Sequence, residues 1–434
     1  MGILEWLNHD IHCACGKTHR CDITTVEIGR GALESLPQAT ERYAHVLLVA
    51  DGNTYPLCGA RVEELLGGKL AGVCLFEGTD PLVPDEAAIA QIRAHLTDKT
   101  DLILGIGSGV INDLCKYVSF YRGIKSGILA TAPSMDGYAS SGAAMILSGM
   151  KVTDTTHAPD LIIGDTEILK NAPMHMIRSG YGDIIGKYSS LCDWELAHLV
   201  CGEHFCKPIY ELVMNTTDEI RDSVEGIVAR EDAAIERLMR ALVLIGMTLT
   251  LVETTRPGSG SEHHLSHFFE IVGLVKHQKH LSHGTDVAYN TILTAGMREQ
   301  IRRLRVPVFC EESAEARAEA WERIYADVAS EVAALQREAG SYERDLRPVY
   351  TEKWEEILQI LSKCPSAAEC KRMMEAVGLR FGECEETYGW ETIRHAMLYG
   401  KDLKNRYSVL WLYYALFSGN AAAVDHRNFE LEEE

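Results

Sequence analysis

This sequence has no basic block. Lys and Arg are outnumbered 42 to 63 by Asp and Glu, the formal net charge is -21, and the cations are scattered. That balance excludes a nucleic-acid backbone as an expected partner, because polyanion binding needs clustered positive charge. An anionic small molecule would have to be held by a few local cations or by backbone amides. Long apolar runs are missing too, so no membrane span is expected. The opening MGILEWLNHD has acids where a secretion signal has a basic region, and Trp6 stands where a myristoylation pattern needs Ser or Thr. Internal repeats, Pro-rich linkers and coiled-coil heptads are absent. So is any secretion context for a disulfide framework, and the thirteen scattered cysteines read as reduced thiols. The expectation is a soluble, acidic, cytoplasmic protein.

At 434 residues, 46% of them hydrophobic, the chain is too long for one ordinary core, so two domains are expected. From residue 45 short apolar runs alternate with helical patterns. HVLLVAD (45–51), VCLFEG (73–78), DLILGIG (101–107), GILATAPS (127–134) and DLIIGD (160–165) read as strands. DEAAIAQIRAHLTD (85–98) and INDLCKYVSFY, between the third and fourth of them, read as helices. Near-continuous apolar strands in alternation with helices predict a parallel sheet buried on both faces. Beyond Asp165 few β-like runs remain, and helical periodicity dominates 210–255, 315–337, 352–376 and 386–418. The expected division is an α/β domain over 1–165 and an all-α domain over 166–434, with the acidic end Glu430 to Glu434 frayed.

Ligands on such sheets bind beyond the carboxyl ends of the strands. Asp51 ends one strand and can accept hydrogen bonds from ribose hydroxyls. The turn from Gly105 through Gly107 and Gly109 to Asp113 follows another strand and opens a helix. Its glycines let backbone amides approach a pyrophosphate at a helix N-terminus, although it is not the GxGxxG fingerprint. TAPSMDGYASSGAAM (131–145) follows a third strand with hydroxyls, Asp136 and small residues in no core periodicity, as loops lining a site do. Near the N-terminus CACGKTHRC (13–21) has Cys13, Cys15, His19 and Cys21, but its spacing is not that of a recognised zinc finger. It is read as a turn into the strand ITTVEIG.

Six histidines crowd HHLSHFFEIVGLVKHQKHLSHG: His263, His264, His267, His277, His280 and His283. Imidazole is the commonest ligand of a catalytic divalent metal, and His263 and His267 share one helical face. The preceding RPGSGSE is a Gly/Ser-rich turn able to begin a helix. Asp183 follows Gly180-Tyr181-Gly182 just inside another helix. One carboxylate and two imidazoles on a metal would leave an open position for Lewis-acid chemistry.

Taken in order, GIGSGVINDLCK, TAPSMDGYASSGAAM, GYGDIIGK and SGSEHHLSH…LSHG resemble sn-glycerol-1-phosphate dehydrogenases. Those belong with glycerol dehydrogenases, iron-containing alcohol dehydrogenases and dehydroquinate synthases. The likeness covers nearly the whole chain, and the long helical C-terminus looks most like the bacterial, nickel-dependent branch, the archaeal one using zinc. It implies a Rossmann-like parallel sheet of the dehydroquinate synthase kind followed by a helical domain. It also implies Asp183, His263 and His283 as metal ligands, and His267 as a substrate-contacting histidine able to carry a proton. Asp136 matches a substrate position, to which Asp183 also contributes. Asp51, Gly107, Gly109, Val110, Ile111, Asn112, Asp113, Thr131, Ala132, Pro133, Ser134 and Ser140 match the dinucleotide contacts. His264 departs from the family, where an apolar residue is more usual, and the longer spacer adds His280 as a further imidazole.

The activity so implied is reduction of dihydroxyacetone phosphate to sn-glycerol 1-phosphate by NADH or NADPH, in a homodimer with one nickel or zinc ion per chain. Asp51 leans toward NAD, because a carboxylate repels a 2′-phosphate. A plain glycerol or alcohol dehydrogenase, a lyase of the dehydroquinate synthase kind and a non-catalytic nucleotide- and metal-binding module are the competing readings.

Overall fold

The computed structural model describes residues 7–78, 81–147, 150–276, 278, 281–420, 423–429 and 431. Trp6, His277, His280, Glu430 and residues 432–434 lie outside them. The strands are β1 (Asp10–His12), β2 (Thr18–Arg20), β3 (Thr25–Gly29), β4 (Val46–Asp51), β5 (Leu70–Phe76), β6 (Leu102–Gly107), β7 (Lys125–Ala130), β8 (Gly142–Leu147), β9 (Met150–Thr155) and β10 (Leu161–Asp165). Six of them form one sheet in the order β3-β10-β7-β6-β4-β5, with every neighbouring pair parallel. All six residues of β6 and all but the last of β4 are buried. This is why those strands are apolar at every buried position instead of alternating.

Local signals set the covering helices. Asp85 caps the helix Glu86–His95 by accepting from Ala88 N at 2.9 Å, and Arg93 and His95 complement its C-terminal end. Helix Gly109–Arg122 stops at Gly123, whose φ of 71° suits a residue without Cβ. The order of the strands reverses beside β4, with β5 on one flank and β6 on the other. The carboxyl ends of β4 and β6 therefore diverge into a crevice carrying Asp51 and the turn after Gly107, where open α/β sheets take their ligands.

The chain divides into two compact units, Met1–Ile184 with Asp222–Thr254, and Ile185–Arg221 with Thr255–Glu434. The break expected after Asp165 falls at the end of β10. The first unit also takes in most of the helix Met174–Ile185 and the long helix Asp232–Val252. The 131–145 run departs from a plain loop: from Gly142 on it is strand β8, paired antiparallel with β9.

Among the described residues, every regular element of the second unit is a helix. Helix Ser261–Val275 packs against helix His283–Arg302. Buried Asp193 anchors the start of the former, accepting from Ser261 N at 2.5 Å, and also accepts from Val409 N at 2.7 Å. Ser189 joins Ser261 and Thr294 through 3.1 Å hydroxyl contacts, and Arg298 donates to it at 3.0 Å. Such bonds offset the cost of burying polar groups.

Candidate functional site

In the first unit, three adjacent strand ends carry the expected nucleotide residues. At the end of β4, Asp51 Oδ1 accepts from Asn53 N at 2.9 Å and Thr54 N at 2.8 Å, folding the strand back into its helix. After β6, Ser108 begins the helix Gly109–Arg122 without a side-chain cap bond. The first-turn amides of that helix therefore remain available for an anion. A Cβ on Gly107 would meet Ile111 Cβ at 2.6 Å, so that glycine permits close helix–strand packing. A Cβ on Gly109 would come within 3.0 Å of Met135 Cε. The donor geometry fits a dinucleotide phosphate.

Two of the residues matched to dinucleotide contacts hold the neighbouring loop. The Asn112 amide, almost wholly buried, donates to Gly137 O at 3.3 Å, and Asp113 Oδ2 accepts from Ala144 N at 3.1 Å. Buried Lys116 bonds to Gly137 O at 3.1 Å, Ser140 O at 3.4 Å and Gly142 O, and pairs with Asp113 at 2.9 Å. Tyr138 closes the loop on itself, donating to Ala132 O at 2.6 Å. Thr131 N meets Gly107 O at 3.0 Å, which joins the third strand end to the second.

Two helices pinch this loop, each through a glycine. A Cβ on Gly180 would lie 2.0 Å from Pro133 O, and one on Gly246 would lie 2.3 Å from Asp136 O. One turn after Gly180, Asp183 is 1% exposed, and its Oδ2 accepts from Asp136 N at 2.9 Å. The expected substrate position and the expected carboxylate ligand are thereby joined directly.

In the second unit, three of the imidazoles are brought together. The His263 and His283 rings lie 5.2 Å apart and the His267 and His283 rings 6.0 Å apart, centroid to centroid. Each turns its Nδ1 toward a carboxylate: His263 to Glu262 at 2.7 Å, His267 to Glu270 at 3.3 Å and His283 to Glu270 at 3.4 Å. A carboxylate on Nδ1 fixes the tautomer that offers Nε2 to a metal and makes it more basic, so the donor set fits a divalent cation. Burial, and then the charge of Lys404, push the His267 pKa down, leaving a neutral ring at pH 7. His264 goes elsewhere: it is fully buried and accepts from Arg406 Nε at 3.3 Å.

Glu262, Glu270 and Arg406 did not emerge from the sequence. The signal for the two acids was available, since Glu262 adjoins His263 and Glu270 lies three residues after His267 on the same helical face. Arg406 bonds to Thr255 Oγ1 at 2.8 Å and Ser259 Oγ at 3.0 Å besides His264, three neutral partners. Burial pushes its guanidinium down to about 10, so it stays charged at neutral pH.

Residues 27–173 match the model of a family described as iron-containing alcohol dehydrogenase. A protein of Halalkalibacterium halodurans described as glycerol-1-phosphate dehydrogenase (NAD(P)+) is 33% identical over 304 residues, covering 68% of this chain and 76% of that protein. The chain belongs to the glycerol-1-phosphate dehydrogenase family. A second relative described in the same words, from Bacillus licheniformis, is 33% identical over 65% of this chain and 72% of its own. The family fold is shared more widely. Glycerol dehydrogenase from Schizosaccharomyces pombe superposes with a TM-score of 0.53 at 18% identity, covering 86% of this chain and 94% of that one. The fold is thus the expected parallel α/β domain followed by helices, and the enzyme is an oxidoreductase of this family.

Proposed function

We propose that the protein reduces dihydroxyacetone phosphate to sn-glycerol 1-phosphate with NADH or NADPH, and that Asp183, His263 and His283 hold a nickel or zinc ion. The observation that carries this reading is the pairing of His263 and His283 with Glu262 and Glu270, in a chain whose relatives are described as glycerol-1-phosphate dehydrogenases. When bound, the ion supplies Lewis-acid polarisation of the ketone and the dinucleotide supplies hydride.

The chain's own residues do the rest. Glu262 and Glu270 orient the imidazoles, and the amides opening helix Gly109–Arg122 bind pyrophosphate. Asp51 takes the ribose, while Gly107, Val110, Ile111, Thr131, Ala132, Pro133, Ser134 and Ser140 line the same dinucleotide face. Asn112 and Asp113 serve it by fixing the neighbouring loop. Asp136 and His267 take the substrate, and neutral His267 can relay to the product oxygen a proton that it first takes from solvent. Arg406, a buried cation hydrogen-bonded to three neutral groups and stabilised electrostatically by Glu262, Asp193 and Glu203, supports an anionic substrate over plain glycerol in a protein of net charge -21. Thirteen cysteines, none in a disulfide, agree with a reducing, cytoplasmic setting, and a homodimer is the assembly we infer. Among the described residues no helix is long and apolar enough to cross a membrane.

The deciding experiment is NADH oxidation by metal-stripped protein on dihydroxyacetone phosphate, with zinc, nickel, manganese or iron returned in turn. Product chirality is then read by an enzyme specific for glycerol 3-phosphate. Metal-restored turnover to a product that enzyme ignores is expected. Turnover to the 3-phosphate would refute the stereochemistry, and equal activity on unphosphorylated dihydroxyacetone would refute the substrate class. His283→Ala should lose metal and nearly all turnover while still binding NADH.

A further inference from the structure

We infer that the N-terminal hairpin is a second metal site, in which Cys13, Cys15 and His19 hold a thiophilic divalent cation such as zinc. Strands β1 and β2 pair antiparallel, Ile11 opposite His19 and His12 opposite Thr18, so the turn 13–17 folds back over His19. Gly16 makes that possible with a φ of 87°, its N–H donating to Cys13 O at 3.0 Å, while Cys13 N donates to Lys17 O at 3.0 Å. The ligand-bearing atoms of Cys13, Cys15 and His19 all lie within 4.8 Å of one another.

Three details favour a metal over a chance meeting of thiols. His19 is 1% exposed, and its Nδ1 meets Leu251 O at 2.6 Å. A carbonyl can only accept, so Nδ1 carries the proton and Nε2 presents its lone pair to the sulfurs. Cys15 Sγ sits 3.3 Å from that Nε2, close to the ~3.6 Å edge between sulfur and nitrogen on a tetrahedral zinc with ordinary bond lengths. Cys15 N–H points at Cys13 Sγ at 3.5 Å, a donor that stabilises a thiolate. Two thiolates and an imidazole are the soft set that selects zinc over magnesium or calcium, and they leave one corner for a ligand from outside the hairpin. Cys21 is not of this group; it is fully buried, and burial pushes its thiol up to about 11.

The site would be structural. Leu251 lies in the last turn of helix Asp232–Val252, where carbonyls lack helical partners, and the same helix presses Gly246 against Asp136 O. Metal in the hairpin would hold His19 on that helix end and so steady the helix behind the 131–145 loop.

Cobalt separates this site from the histidines near Glu270, because only thiolates give an intense sulfur-to-cobalt charge-transfer band in the near ultraviolet. Full-length protein stripped of metal and loaded with cobalt should show the band. His283→Ala should keep it, and Cys13→Ser/Cys15→Ser should lose it together with one equivalent of bound metal. Wild-type protein offers a check that needs no folded variant: zinc should slow alkylation of Cys13 and Cys15, mapped by mass spectrometry, and a chelator should restore it. Cobalt uptake without the band, a Cys13–Cys15 disulfide in freshly purified protein, or alkylation indifferent to zinc would each overturn the assignment. None of those results bears on turnover of dihydroxyacetone phosphate, which is read separately.

Discussion

Replacing Gly180 with Ala adds one methyl group where the structure has no room for it. Its Cβ would stand 2.0 Å from Pro133 O, whereas real Cβ atoms keep at least 3.0 Å from their neighbours, so helix and loop must part by about 1 Å. The obstacle is a backbone carbonyl, which cannot swing aside as a side chain does. Overpacking of this kind costs ~1–3 kcal/mol. Alanine's better helix propensity returns about 1 kcal/mol, so a net loss of stability isolates the clash. The larger effect should fall on chemistry, because Asp183, the proposed carboxylate ligand, rides on the same helix and accepts from Asp136 N. Misplacing a site by ~1 Å can cost on the order of 100-fold in turnover. The assay is kcat and KM for dihydroxyacetone phosphate under saturating metal, beside a urea melt. Gly246→Ala, with its obstacle at 2.3 Å, should fall between Gly180→Ala and the control Gly68→Ala, which meets nothing within 4 Å. A Gly180→Ala enzyme as active and stable as Gly68→Ala would refute the reasoning.

Glu270→Gln should weaken metal binding ~10–100-fold, because the carboxylate between His267 and His283 is lost while its shape is kept; unchanged affinity in a metal titration would count against the histidine assignment. Gly109→Val should raise the NADH dissociation constant at least several-fold by obstructing approach to the first-turn amides, and an unaltered constant in a fluorescence titration would remove the pyrophosphate from that turn. His395 is pushed from 6.5 down to about 4, first by burial and then by Arg323. The unfolded chain therefore binds a proton the folded one refuses, and its contribution, on the order of 2 kcal/mol, is full above about pH 6.5 and drains as pH falls toward 4. His395→Gln should flatten the loss of urea stability between pH 7 and 5, and an unaltered slope would exclude this residue as the cause.

The sheet was legible because a strand covered on both faces must be apolar at successive positions, and β4, β6 and β10 announce themselves that way. Strand β8 was not, since Gly142, Ala143 and Ala144 have little β-propensity and gain strand character only by pairing with β9. Helical periodicity found Asp232–Val252 but could not say which core it joins, because an apolar face carries no address. The imidazoles were visible as residue types. Their carboxylate partners needed geometry, as did the divergence of His264 toward Arg406 from its neighbour His263. The hairpin turn showed its cysteines plainly, yet the approach of His19 depends on β1 and β2 pairing, which three-residue strands scarcely signal.

The first unit is discontinuous, and this bears on how it is made. His19 meets the carbonyl of Leu251 across 232 residues of sequence, and Arg240 bonds to Ile28 O across 212. A chain growing from the ribosome can assemble the strands from Thr25 to Asp165 early, but their unit stays short of a helix until more than 250 residues have been synthesised. Closing so long a loop is slow, and the apolar face awaiting Leu238, Leu242 and Ile245 is open meanwhile. A fragment ending at Asp165 should therefore expose that face and aggregate, while supplying residues 222–254 as a separate peptide should rescue its solubility.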